Sequence, residues 1–358
     1  MPTAFDYRNS IFAETIGPVR PGDITPGESI NYPDDTYGNM NGDGLGINFL
    51  SILVWLIFIL LLLAGVGAAL YYYMNLLKKK DRDEKSAHGV LMEVRVPRGN
   101  EIEIGVAEQM FANLYGIGGV GKGIQKYLTV GNSISFEIVG LPGEIRYYMH
   151  APKKLSDLVE KQILGSYQEA EVTISDEYNI FEENSKVAYA SLIQTDEPYY
   201  PIKVAEDFTG DPMANILSTL SKMDNGEGAM VQIIVSPAGS KWQKNGRKFV
   251  QRVEDTNSDP EKKRISVSQE QLQAISKKTS KIGFRTAIRI VTSASSADIA
   301  NMHLNNIVGA FDQFANPGIN EFKKEKLNKL KGKDFMHDVL FRRIPLKSGS
   351  ILNIEELS

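Results

Sequence analysis

The chain contains no cysteine, and that absence removes several chemistries at once. It excludes disulfides, thiolate nucleophiles and cysteine-based zinc or iron–sulfur sites, which fits a reducing compartment. Histidine is nearly as scarce: His88, His150, His303 and His337 are scattered, and none has a second ligand at metal-site spacing. His150 falls at a strand end beside Lys153 and Lys154, where a solvated imidazole is expected. No Ser/His/Asp set can be assembled, and the paired acids Glu182 and Glu183 fall in a connecting segment rather than a cleft. These gaps predict a chain that is not an enzyme and takes no cofactor or metal.

One motif argues the other way. "YGIGGVGKGIQKY", Tyr115 to Tyr127, satisfies G-x-x-x-x-G-K through Gly116, Gly121 and Lys122. A phosphate-binding loop needs Ser or Thr next to hold Mg²⁺, and Gly123 stands there instead. Such a loop also leaves a strand and opens a helix, whereas these glycines follow a helical pattern and precede a strand. The sequence favours a flexible connection with Lys122 and Lys126 exposed.

Charge is missing from one long stretch. Phe49 to Tyr73, "FLSILVWLIFILLLLAGVGAALYYY", has 25 residues and no charge. As a helix it would reach roughly 37 Å, more than a hydrocarbon core of about 30 Å. A transmembrane helix is therefore predicted within 47–77, with Trp55 and Tyr71, Tyr72 and Tyr73 suited to the interfacial zones. Lys78, Lys79, Lys80 and Arg82 follow in a basic juxtamembrane linker, 78–87, while the nearest base on the other side is Arg20. This asymmetry predicts a single-pass cell-membrane protein with residues 1–46 outside and the rest cytoplasmic. A signal peptide would be shorter, closer to the N-terminus and led by basic residues. Residues 1–46, rich in Pro, Gly and Asp, predict an extended or disordered segment. Its "NMNGDG" starts like a calcium loop, but the position of the bidentate Glu is Leu50, inside the span.

Beyond the span one pattern occurs twice. "VLMEVRV" alternates, with Val90, Met92, Val94 and Val96 on one face, and a helix follows with Val106, Met110, Phe111 and Leu114 inward. A hairpin turns at Leu141, Pro142 and Gly143. A second helix with Leu155, Leu158, Val159 and Ile163 inward and the short strand "EVTIS" complete the unit. The order recurs in "KVAYASLIQ", "DPMANILSTLSKM" (Asp211 as N-cap), "AMVQIIVSP", "FRTAIRIVTS", the helix around Leu304 and Ile307, and a strand near Phe322. The predicted fold class is α+β: one N-terminal transmembrane helix, then two tandem ferredoxin-like (βαββαβ) units at 88–180 and 185–325.

The second unit is interrupted at 240–281 by a segment with 11 Lys and Arg against five Asp and Glu, net +6. Lys241, Lys244, Arg247, Lys248 and Arg252 interleave with Trp242 and Phe249, and Lys262, Lys263 and Arg264 follow. These bases are candidates for an anionic partner: nucleic acid, anionic lipid or protein. The plainer alternative is a solvated helical hairpin whose aromatics pack on its own domain.

"VRVPRGNE", "GVAEQMFANLYGI" and "FEIVGLPGEIRYYMHAPKKLSDLVEKQILGSYQEAEV" resemble a membrane-anchored domain of unknown function from small-genome bacteria. That domain precedes the ATPase module of type IV secretion, conjugative-transfer-like proteins. The resemblance runs from Val90 to the C-terminus and implies that 326–358, with "FRRIPLKSGSILNIEELS", leads into an ATPase domain not contained here. It implies an anchoring and assembly module for a DNA- or protein-translocating motor, with a homo-oligomer or the motor as partner. The alternative is an independent membrane-tethered adaptor. Asn353 and Glu356 have the spacing of a capping box, but the helix they would open is short, and it is expected to be frayed in this chain.

Overall fold

The computed structural model describes residues 49–97, 103–118, 130–259, 263, 265–327, 329–346 and 350–358. The chain divides into two compact units, Met1–Ala64 and Gly65–Ser358. Helix α1, Phe49–Ala87, is 39 residues long. From Ser51 it is long and apolar enough to cross a membrane. The segment expected as a basic linker is helical as well. Nothing from Met74 to Ala87 is Gly or Pro, and Asp81 and Lys85 form an (i, i+4) ion pair at 2.9 Å.

The second unit is built on a nine-stranded antiparallel sheet. Its strands are β1 Gly89–Arg95, β2 Ile134–Leu141, β3 Glu144–Pro152, β4 Glu171–Ile174, β5 Lys186–Gln194, β6 Gly228–Pro237, β7 Gly283–Ala294, β8 Phe322–Lys324 and β9 Ile351–Asn353. They lie in the order β4-β1-β3-β2-β6-β7-β5-β8, with β9 on β7. Helices α2 (Ile104–Leu114) and α3 (Ser156–Ser166) follow β1 and β3; α4 (Ala214–Leu220) and α7 (Ala297–Ala310) follow β5 and β7. Two separate tandem units were expected, and one continuous sheet is found. β2 and β6 pair from Ile134↔Val235 to Gly140↔Ala229. β6, "GAMVQIIVSP", is buried on both faces and pairs along both edges, with β2 and with β7, so that neither of its rows of backbone N–H and C=O groups is left open.

All four helices cover one face. Met92, Phe111, Leu114, Ile134 and Val159 form one core under α2 and α3; Ile216, Leu220, Val231, Ile290, Leu304 and Ile307 form another under α4 and α7. Leu158, expected inward, is exposed, and Val159 and Ile163 alone carry the fully buried positions of α3. The β2–β3 turn needs Gly143, whose φ of +76° disfavours any side chain. Asp211 does not cap α4 directly; its Oδ1 accepts from Met213 N at 2.8 Å, one turn residue ahead of the helix.

The opposite face is covered by the segment expected to lead out of the domain. Helix α8, Lys329–Leu340, places Phe335 and Val339 against Leu91, Val139, Met230 and Val291. The chain then returns through β9 to the edge of β7 (Gly283↔Asn353) and ends in α9, Ile354–Leu357, against α2. The expectation of a frayed terminus is overturned. The capping box forms, with Asn353 Oδ1 accepting from Glu356 N and Glu356 Oε2 from Asn353 N, both at 2.9 Å. Glu356 also accepts from Ile202 N at 2.9 Å and lies 3.1 Å from Lys278 Nζ, in a pair that is almost wholly buried. Tertiary bonds therefore replace the length an isolated helix would need. Burial pushes the Lys278 ammonium down and the Glu356 carboxyl up, and their contact opposes both shifts.

His150 is also corrected: it is buried, with 8% of its surface exposed. Burial first, and then the Arg342 charge, push its pKa from 6.5 to about 4.

Two predictions follow from this packing. Glu356→Ala, which strands a buried ammonium, should destabilise the fold by about 3–5 kcal/mol in urea unfolding, and the double variant Lys278→Met/Glu356→Leu should cost clearly less. Because the folded His150 pKa is depressed, its contribution is complete above pH 6.5 and is lost as pH falls through about 4. That loss amounts to roughly 3 kcal/mol, and His150→Gln should flatten the melting temperature between pH 7 and pH 4.

Candidate anion-docking surface

Between β6 and β7 the basic segment folds as two packed helices, α5 (Lys241–Ser258) and α6 (Gln269–Ser280). One face of α5 carries Trp242, Gly246, Phe249 and Val253, spaced four, three and four residues apart, and turns home. Phe249 stacks on Tyr199 with centroids 5.4 Å apart and meets Tyr200 edge-on at 5.7 Å. Gly246 allows the closest approach: a Cβ there would lie 2.6 Å from Thr279 Cγ2 and 2.8 Å from Tyr199 Cβ. Gln243 Nε2 donates to Thr279 O and Lys281 O at 3.2 and 2.8 Å, tying the end of α6 to α5.

The other face is a row of cations. Lys241, Lys244, Lys248 and Arg252 recur at helical spacing with Arg247 beside them, and all five are exposed. Side chains so spaced have Cβ atoms about 5–6 Å apart, close enough to meet several anionic groups of one partner. Among the described residues none of the five makes an ion pair. Lys263 is exposed too, while Lys262 and Arg264 lie outside the described residues. The last three bases of the segment are paired with acids, and of the three Lys278 alone is buried. Lys277 pairs with Glu355 (2.7 Å) and Glu206 (3.1 Å), Lys281 with Glu108 (2.9 Å) and Glu355 (3.3 Å), and Lys278 with Glu356.

The aromatic interleaving read from the sequence is not a surface feature. Trp242 and Phe249 alternate with the bases along the chain but sit across the helix from them, because 3.6 residues per turn separates neighbours by about 100°. The face offers point charges without rings for base stacking.

Among the topology residues, Lys79 and Lys80 are exposed and Lys78 is half-buried. Arg82 is committed internally, 3.3 Å from Asp83 and 3.7 Å from Asp338. The glycine motif begins as read: Gly116 lies in a single 3-10 turn, Tyr115–Ile117, after α2. Gly121, Lys122, Gly123 and Lys126 lie outside the described residues.

A second polar cluster was not anticipated. Glu137, Gln232 and Arg289 are neighbours in one row across β2, β6 and β7. Gln232 Nε2 donates to Glu137 Oε1 at 2.8 Å, and Arg289 Nη1 to Gln232 Oε1 at 3.1 Å. Arg342 donates to Glu137 Oε1 at 2.9 Å and grips Glu177 with two bonds of 2.8 Å; Tyr178 OH adds 2.7 Å to Glu137. Burial works to raise the Glu137 carboxyl, but Arg342 and the hydrogen bonds override it and hold its pKa below the ordinary value. Its lone pairs are occupied by protein groups, so the cluster fastens α8 to the sheet. The available signal was a charged or amide side chain in the interior of each of three largely apolar strands: Glu137, Gln232 and Arg289.

A mixed α/β module with an antiparallel sheet, preceded by an apolar helix of membrane-spanning length, is the class that fold and site define. The chain belongs to the DUF8128 family, a domain of unknown function, matched over residues 69–356. That description makes no reference to type IV secretion. No curated protein matches the chain. Similar solved structures include glycopeptide hexose oxidase complexed with teicoplanin (9% identity, 65% of this chain and 44% of that one, TM-score 0.32). Others are aclacinomycin oxidoreductase (13%, 63% and 41%, 0.29) and 6-hydroxy-D-nicotine oxidase from Arthrobacter nicotinovorans (12%, 65% and 45%, 0.31). The chain spans less than half the length of each. Because these neighbours are enzymes, the expectation that this chain is not one is withdrawn. At such identities and scores the likeness carries no argument about its fold or activity.

The packing of α5 is open to a direct check. Gly246→Ala would gain about 1 kcal/mol of helix propensity, but its methyl would overlap Thr279 and Tyr199. A net loss of roughly 1–3 kcal/mol is expected in thermal or urea unfolding. Lys244→Glu/Arg247→Glu/Lys248→Glu, all on the open face, should leave stability within about 0.5 kcal/mol.

Proposed function

We propose that this chain is the membrane-anchoring and assembly module of a type IV secretion-like apparatus that translocates DNA or protein, and that α5 is its docking surface for an anionic partner. The observation that carries the proposal is the row of five exposed cations on α5 without ion pairs among the described residues, on a helix whose other face is locked to the fold. The sequence resemblance supplies the apparatus; the homo-oligomer or motor domain is its expected partner.

The module itself consists, in this reading, of two ferredoxin-like units joined edge to edge. In each half the first strand lies between the third and fourth and the second lies beyond the third, with helices after the first and third strands on one face. Its side of the membrane is the cytoplasm, a reading supported by the exposed Lys79 and Lys80 after the apolar run. An independent membrane-tethered adaptor is the second reading, and the same cation row favours it, since such a row can bind a partner without a motor.

Cysteine labelling tests the topology. A cysteine at Asp34 should react with an impermeant thiol reagent in intact cells and one at Asn184 should not, and the reverse pattern would reject the assignment. Docking is tested with the full chain in neutral nanodiscs against duplex DNA, anionic vesicles and a motor-domain partner. If phosphates are the ligand, each lost contact should flatten the slope of log K against log salt by about 0.9 for duplex DNA. Unchanged binding of every partner by Lys244→Glu/Arg247→Glu/Lys248→Glu would remove α5 from the proposal.

A further inference from the structure

The continuous sheet leaves a gap in the layer above it. Each pair of helices covers its own half, α2 with α3 and α4 with α7, while the β2–β6 junction runs beneath the space between the pairs. The four-residue α9 fills part of that space. What remains is a cavity of about 320 Å³, floored by Phe136, Ile233 and Ile288 and walled by Phe111, Met213 and Phe314. Its size is at the lower end of small-molecule sites, which run from about 300 Å³ and favour junctions of this kind.

The walls select the ligand. An apolar cavity gives water too few hydrogen-bonding partners, so it favours a hydrocarbon body. The side-chain carboxylates in its lining are engaged: Glu355 by Lys277 and Lys281, Glu356 by Lys278, and Asp211 by Met213 N. Lys203 is different. Its backbone N donates to Phe314 O at 3.0 Å, its Nζ lies 5.9 Å from the Phe208 ring centroid, and it makes no ion pair among the described residues. The site therefore joins a largely apolar cleft to one half-buried cation without a side-chain carboxylate partner among the described residues.

We propose that this cavity binds a free long-chain fatty acid, its aliphatic chain between the two helix pairs and its carboxylate on Lys203. The ligand is a single-chain amphiphile rather than an intact phospholipid, because a volume of about 320 Å³ accommodates one chain. The site is separate from α5 and is independent of what α5 docks.

The full chain in phosphatidylcholine nanodiscs, exposed to diazirine-bearing palmitate and mapped by peptide mass spectrometry, tests this. Cross-links are expected on peptides containing Phe111, Met213 or Phe314, competed by palmitate and at least tenfold more weakly by methyl palmitate, which has no charge for Lys203. Ile233→Trp, which fills the cavity, and Lys203→Glu, on its rim, should each reduce labelling at least tenfold. Lys203→Glu should do so with its melting temperature unchanged, which keeps the test valid if Ile233→Trp fails to fold. Labelling confined to α1, labelling insensitive to Lys203→Glu, or equal competition by the methyl ester would overturn the proposal. So would protection of the same peptides that grows with protein concentration without palmitate, since a second copy would then be the occupant.

Discussion

The antiparallel pairing of β2 with β6 is the constraint on which the rest of the second unit depends. Both strands carry apolar residues on both faces: Ile134 and Val139 on β2, Met230, Val231, Ile234 and Val235 on β6. Left at the edge of a smaller sheet, either strand would present a row of backbone N–H and C=O groups with no strand to pair them. Joining them merges two half-sheets and makes two helix pairs share one floor. It also creates a middle strip that neither pair covers.

That strip has two sides, and the chain treats them differently. On one, the row Glu137, Gln232 and Arg289 is too polar to be buried unpaired, so its closure needs donors and acceptors from elsewhere. Arg342, in the turn after α8 with a left-handed backbone at φ +48°, supplies donors to Glu137, and the backbone carbonyls of Asp338, Val339 and Arg343 accept from Arg289 and Gln232. The bond from Arg289 Nη1 to Asp338 O, at 2.9 Å, fixes the same turn from the sheet. The last turns of α1 join this corner too, through Arg343 to Asp83 at 3.0 Å and Asp81 to Val130 N at 2.8 Å. A polar row of this kind contributes less to net stability than to the choice of a single docking position for the segment that covers it.

On the other side, closure falls to α9 and its buried Lys278–Glu356 pair. This explains why the basic segment divides its charges. Lysines on α6 and at its end turn toward the acids of the terminus, whereas those on α5 stand across the helix from an aromatic seam and stay open to partners. A chain interval with a net charge of +6 thus contains an internal fastening and an external surface, and total charge does not distinguish them.

Local pattern was enough for the apolar span, the strand and helix sequence of both halves, the end of α2 before Gly116, the Asn353–Glu356 capping box and the basic character of 240–281. Each of these depends on residues within a few turns of one another: a period of 2 or 3.6, a glycine at a turn, a cap three residues from its partner. Tertiary structure decided what depends on distant partners. It merged the halves through β2 and β6, brought α8 and β9 back onto the sheet, buried His150 beneath the charge of Arg342, and turned Trp242 and Phe249 away from the bases beside them in sequence. Glu137 and Arg342 lie 205 positions apart, and Lys278 and Glu356 come from different elements as well. Periodicity names the face on which such a residue lies, but it carries no information about which remote segment will cover that face, because this is set by the pairing of buried charge and the exclusion of water in the assembled fold.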